Sequence, residues 1–113
     1  MFRIASVAAF AILMTAGTAL ADPIEGTWKR PNGTLISYAG SAAKYCGTVM
    51  SGEYKGKSIG CMEGGGGAYK GTVNKLDEGK TYNGKASVSG NTLSLSGCVL
   101  GGLICKSEKL TRQ

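Results

Sequence analysis

The chain has 113 residues, with 13 Lys and Arg against 7 Asp and Glu, four cysteines, 19 glycines and no histidine. That length holds one domain with a modest core, and the missing histidine removes the usual general base and a common metal ligand. The positive charge is scattered, without a run or a stripe interleaved with aromatics, so it reads as a solvated surface and not as a nucleic-acid reader; weak attraction to anionic envelope polymers or lipid head groups is compatible with it.

In chain order, Arg3 precedes an apolar run from Ile4 to Ala16 and the small-residue stretch Thr18-Ala19-Leu20-Ala21. This is the layout of a cleavable secretory signal, with cleavage expected after Ala21 and a periplasmic or secreted mature domain at 22–113. Removing Arg3 leaves twelve cations against seven carboxylates, a net charge of +5. The mature part has no apolar stretch able to span a bilayer, so no stable membrane insertion is expected. In an oxidising compartment the even set Cys46, Cys61, Cys98 and Cys105 reads as two disulfides. A zinc site is disfavoured, because the spacings contain no C-x-x-C knuckle and no histidine is present.

After Asp22 no window carries apolar residues at helical spacing, whereas short runs rich in Thr, Val, Tyr and Ile recur between glycine-containing breaks. Strands are predicted at 24–30, 34–39, 44–51, 56–62, 68–75, 81–88, 92–99 and 103–111. Pro31-Asn32-Gly33 favours a three-residue loop. That loop sets Trp28 opposite Ile36 and Gly26 opposite Tyr38, gathering Ile24, Gly26, Trp28, Ile36 and Tyr38 on one face.

A four-residue loop from Gly52 to Lys55 places Cys46 opposite Cys61, and a two-residue turn at Gly101-Gly102 places Cys98 opposite Cys105. Directly opposed cysteines in an antiparallel ladder are within disulfide reach. Four cysteines permit three connectivities, and this register selects Cys46 with Cys61 and Cys98 with Cys105. A weak repeat, Tyr45-Cys46-Gly47-Thr48-Val49 against Tyr69-Lys70-Gly71-Thr72-Val73, puts Tyr, Gly and Val of each copy inward and leaves both disulfides outside. Sequential hairpins without a crossover predict an all-β fold, a small up-and-down antiparallel barrel of about eight strands.

On the inner face Gly47 meets Gly60, and a loop at 76–79 makes Gly71 meet Gly84. Two readings stand. Glycine occurs where barrel strands bend sharply, with the aromatics as ordinary core; this is the commoner arrangement. Alternatively the gaps form an internal cavity for a small amphipathic ligand, lined by Trp28, Tyr38, Tyr45, Tyr69 and Tyr82.

The stretch from Gly52 to Ser58 is one residue short of a phosphate-binding loop and lies between strands, where no helix N-terminus faces a phosphate. Gly64 to Gly67 reads as a flexible connection. Asp77 and Glu78 sit in a predicted turn. With no histidine and the cysteines oxidised, catalysis is not expected, nor is a cofactor or metal.

Gly26-Thr27-Trp28 at the first strand and Thr111-Arg112 at the last resemble the signature of lipocalin-type barrels. There a tryptophan plugs one end and an arginine packs across it, which implies structural roles for Gly26, Trp28 and Arg112. The mature chain is also similar to the domain of unknown function 2147 family, small exported lipocalin-like proteins. The resemblance rests on residues 22–28, Tyr45-Cys46-Gly47, Gly79-Lys80-Thr81-Tyr82 and residues 97–105. The chain departs from that family at Leu110, where a second tryptophan often stands, and in its short middle connections, which implies a reduced cavity.

Two functions are therefore expected to compete. One is binding of a small apolar or amphipathic ligand inside the barrel. The other is an envelope protein-interaction module, such as an inhibitor or accessory protein, presenting the loops at Gly52 to Lys55 and Gly64 to Gly67. On this reading Tyr69 serves the ligand and Tyr54, in a loop, serves only a protein contact.

Overall fold

The computed structural model describes residues 22–113; the segment 1–21, read as an export signal, lies outside them. Eight strands follow in order: β1 (Gly26–Lys29), β2 (Leu35–Ser41), β3 (Lys44–Val49), β4 (Ser58–Gly65), β5 (Ala68–Lys75), β6 (Lys80–Ser89), β7 (Thr92–Val99) and β8 (Ile104–Arg112). Each pairs antiparallel with its neighbour, and β8 returns to β1 through Trp28 opposite Arg112 and Lys29 opposite Thr111. The barrel is closed, so no strand is left as an open edge.

The predicted registers hold where turn chemistry dictates them. Trp28 lies opposite Ile36 and Gly26 opposite Tyr38. Around Pro31-Asn32-Gly33 the Arg30 N–H donates to the Thr34 carbonyl at 2.9 Å, and the Thr34 N–H donates to Asn32 Oδ1 at 2.9 Å. Cys46 is opposite Cys61 and Cys98 opposite Cys105, and both pairs are disulfide-bonded. Three of these sulfur positions lie outside the core as expected, but Cys98 is buried.

Four connections differ from expectation. The loop after β3 spans 50–57 rather than four residues, because a bulge between Gly47 and Thr48 shifts the ladder to pair Thr48 with Ser58. The extra residue, Ile59, is buried, and Gly60 beside it takes φ +105, a conformation that favours glycine. Gly64 and Gly65 belong to β4, so the connection to β5 is only Gly66-Gly67. The Cys98–Cys105 hairpin closes through four residues, a 3-10 turn at Leu100–Gly102 followed by Leu103, instead of two. Between β2 and β3, Ala42 and Ala43 form the turn at φ 55 and 67, without the Asn or Gly that such a turn prefers.

Up-and-down connectivity sorts the loops to two ends. Residues 31–33, 50–57, 76–79 and 100–103 lie at one end; residues 42–43, 66–67 and 90–91, with segment 22–25, lie at the other. The second end is sealed. Trp28, Tyr38, Met62, Leu93 and Leu110 are essentially inaccessible, joined by Ile24, Tyr45 and Tyr69. The two tyrosines of the repeat meet edge to face, ring centroids 6.0 Å apart.

The lipocalin-like plug is present at this end. The Arg112 guanidinium lies 4.2 Å above the Trp28 ring and donates to the Glu25 and Pro23 carbonyls at 3.1 and 2.7 Å. Trp28 Nε1–H donates to the Ile24 carbonyl at 2.9 Å. Tyr69 draws segment 22–25 down: its hydroxyl donates to the Asp22 carboxylate and accepts from the N–H groups of Ile24 and Gly67.

Candidate functional site

Strand alternation carries the inner face upward from the plug to the other end of the barrel, where it changes character. Ile36 follows Tyr38 on β2, Val49 follows Gly47 on β3, Val73 follows Gly71 on β5, and Leu95 follows Leu93 on β7. With Ile59, brought inside by the bulge, these side chains line a cavity of about 740 Å³ that opens between the loops of that end. It is of the size that small-molecule sites take.

The opposed glycines are not the source of this space. A Cβ at Gly47 would stand 2.7 Å from Ile59 Cγ1 and 2.9 Å from Tyr38 Cζ. One at Gly84 would stand 2.7 Å from Val73 Cγ2 and 2.8 Å from Met62 Cε. The glycines admit large neighbouring side chains and thereby fill the lower barrel. Gly97, on the cavity wall, has ordinary clearance, its nearest contact being Tyr82 Cβ at 3.6 Å.

The rim is polar. Arg30 Nε lies 2.9 and 3.0 Å from the two Glu108 carboxylate oxygens at the seam where β8 meets β1. Lys75 contacts Asp77 at 3.1 Å and Glu78 at 3.6 Å, and the Tyr82 hydroxyl donates to Glu78 at 2.8 Å. The Lys75 ammonium holds the Asp77 carboxyl below its ordinary range, and the hydrogen bond to Glu78 raises the Tyr82 phenol. The arrangement offers an apolar shaft with paired charges at its entrance. Among the described residues, no group of three or more His, Cys, Asp or Glu is placed to hold a metal.

Of the five aromatics named from sequence, only Tyr82 lines the cavity. Trp28, Tyr38, Tyr45 and Tyr69 are buried in the sealed half. Tyr54, expected in an exposed loop, is folded by the 50–57 loop over the mouth, where it lines the cavity and packs on the core. Arg30, Glu108 and Leu95 belong to the site and were not picked out from sequence. The signal for two of them was present: once Cys98 faces Cys105, Leu95 faces Glu108 on the inner side.

The chain has no significant match among curated proteins or among solved structures. Residues 58–112 match the family described as an uncharacterized protein conserved in bacteria, DUF2147. Of the stretches that carried the resemblance, 79–82 and 97–105 fall inside that match, and 22–28 and 45–47 precede it. The part of the barrel that matches the DUF2147 family runs from β4 to β8 and contributes Val73, Tyr82, Leu95 and Glu108 to the cavity.

Proposed function

We propose that the mature protein is an exported, non-catalytic binding protein that holds a small amphipathic molecule at the open end of its barrel. The observation that carries this reading is the cavity of about 740 Å³, with Ile36, Val49, Ile59, Val73 and Leu95 on its walls and the charged groups Arg30, Lys75, Asp77, Glu78, Lys106 and Glu108 among its lining. A chain-like apolar body fits the shaft, and its polar head meets Arg30, Glu108 and Tyr82. Burying apolar surface supplies the affinity, at about 25 cal/mol per Å² removed from water, while the rim sets orientation. Export is supported by the layout of residues 1–21 and by two disulfides, which persist in oxidising compartments.

The test is titration with an environment-sensitive anilinonaphthalene fluorophore, followed by displacement with single-chain amphiphiles. Saturable binding at one site per barrel, weakened by Val73→Asp and Leu95→Asp but not by Lys44→Ala at the sealed end, is expected. No saturable binding, or binding indifferent to the two cavity variants, would refute the reading.

A further inference from the structure

Among the described residues, the large hydrophobic side chains that remain exposed are Met50, Val99, Leu100, Leu103 and Ile104. All five lie at the open end, and four occupy the tip of the β7–β8 hairpin. Leu103 is 85% exposed and Leu100 67%. Elsewhere the surface follows the ordinary rule, apolar inside and polar outside, so this concentration at one tip is not a consequence of folding a barrel. The Cys98–Cys105 bridge staples the hairpin directly below the tip and holds the apolar residues outward. Val99 and Ile104 are shared between the tip and the cavity wall, so the apolar surface runs continuously from the tip into the cavity.

The charges at the same end favour one kind of partner. Arg30, Lys55, Lys57, Lys75, Lys80 and Lys106 stand there against Glu53, Asp77, Glu78 and Glu108. Glu108 is engaged by Arg30, and Asp77 and Glu78 by Lys75, which leaves Lys55, Lys57, Lys80 and Lys106 without an ion-pair partner among the described residues. A protruding tip of four side chains is far short of the roughly 20–30 residues a side that a stable protein interface uses. It is suited to insertion between lipid head groups, with the surrounding cations each adding about 1 kcal/mol against an anionic surface.

We propose that the open end docks on an anionic lipid bilayer, the β7–β8 tip entering the interface and the cavity mouth facing the membrane. In that orientation the ligand of the cavity is a single-chain amphiphile drawn from the bilayer; this second part rests on the binding function proposed above, and the docking does not.

The experiment is co-sedimentation of the oxidised protein with phosphatidylcholine vesicles and with mixed phosphatidylcholine–phosphatidylglycerol vesicles. Partition onto the mixed vesicles, weakening with salt and falling about tenfold in each of Leu100→Ser and Leu103→Ser, is expected. Both variants should retain native circular dichroism and fluorophore binding in solution. Leu103→Trp gives a second readout, a blue shift on adding mixed vesicles.

Absence of partition overturns the proposal. So does partition unaffected by both leucine variants, which would reduce it to charge adsorption, or a concentration-dependent dimer that these variants abolish, which would make the tip a contact between copies. Vesicle docking with no fluorophore binding by any form supports the docking and removes the cavity reading alone.

Discussion

Two glycines on the same inner face separate the filled and open halves of the barrel. Gly84 faces Gly97 across β6 and β7, but a side chain meets different surroundings at each. At Gly84 even a methyl group would intrude on Val73 Cγ2 at 2.7 Å and Met62 Cε at 2.8 Å. Gly84→Val should therefore overpack the core and cost about 1–3 kcal/mol. At Gly97 the backbone is not in the left-handed region and the nearest contact is 3.6 Å away, so Gly97→Leu projects its isobutyl group into the cavity. Its stability should stay within about 1 kcal/mol of wild type, since the smaller backbone entropy loss and better strand preference of leucine offset the ordering of its side chain. Its affinity for the displacing amphiphile should fall about tenfold or more, the equivalent of 1.4 kcal/mol of lost contact. Urea unfolding followed by Trp28 fluorescence gives the first quantity, and fluorophore displacement the second. Equal destabilisation by both variants, or a Gly97→Leu protein that binds as wild type does, would refute the division of the barrel into a packed half and an open one.

Replacing Arg112 by Met keeps the apolar stem but removes the contact with Trp28 and two charge-assisted hydrogen bonds, so a loss of about 2–3 kcal/mol is expected by urea unfolding. Ala42-Ala43→Asn-Gly relieves two left-handed alanines, each disfavoured by about 1 kcal/mol, and should raise Tm by about 5–10 °C in calorimetry. The Tyr38 hydroxyl is buried with no partner among the described residues, so Tyr38→Phe should be neutral or stabilising by about 1 kcal/mol, measured in the same way. Burial, with the Asp22 carboxylate as acceptor, pushes the Tyr69 phenol up from its ordinary 10 to about 12. Between those values the folded protein keeps a proton that the unfolded chain has lost, so this contribution to stability is fully present below pH 10 and is lost as pH rises through 12. Tyr69→Phe should flatten that part of the alkaline limb in pH-dependent urea titrations, and an unchanged limb would contradict the assignment.

Much of the fold was legible because turns and cysteines act locally. Pro31-Asn32-Gly33 dictates a loop length and so sets Trp28 opposite Ile36, and the glycine turn at Gly101-Gly102 in the same way brings Cys98 to Cys105. Sequence patterning failed where one residue breaks the alternation. Strict period two places Gly60 inside and Ile59 outside; the bulge turns Ile59 inward, where it fills the gap over Gly47 that sequence left open as a cavity. The candidate site was misplaced along the barrel axis for a related reason. Alternation says which face a tyrosine occupies but not which end, so Tyr38, Tyr45 and Tyr69 were grouped with Tyr82 although the first three lie by the plug. Tyr54 was missed because its position depends on how an eight-residue loop folds back, which no local signal encodes. The Arg30–Glu108 pair joins residues 78 apart in sequence, and only barrel closure brings them together.

The location of the ligand decides the proposed function, and amide chemical-shift mapping during titration with a single-chain amphiphile reads that location directly. Progressive shifts at Ile36, Val49, Ile59, Val73, Leu95 and Gly97, with Trp28, Tyr45 and Tyr69 unmoved, are the predicted result. Shifts concentrated around Trp28 and Tyr69, or none at saturating amphiphile, would contradict it.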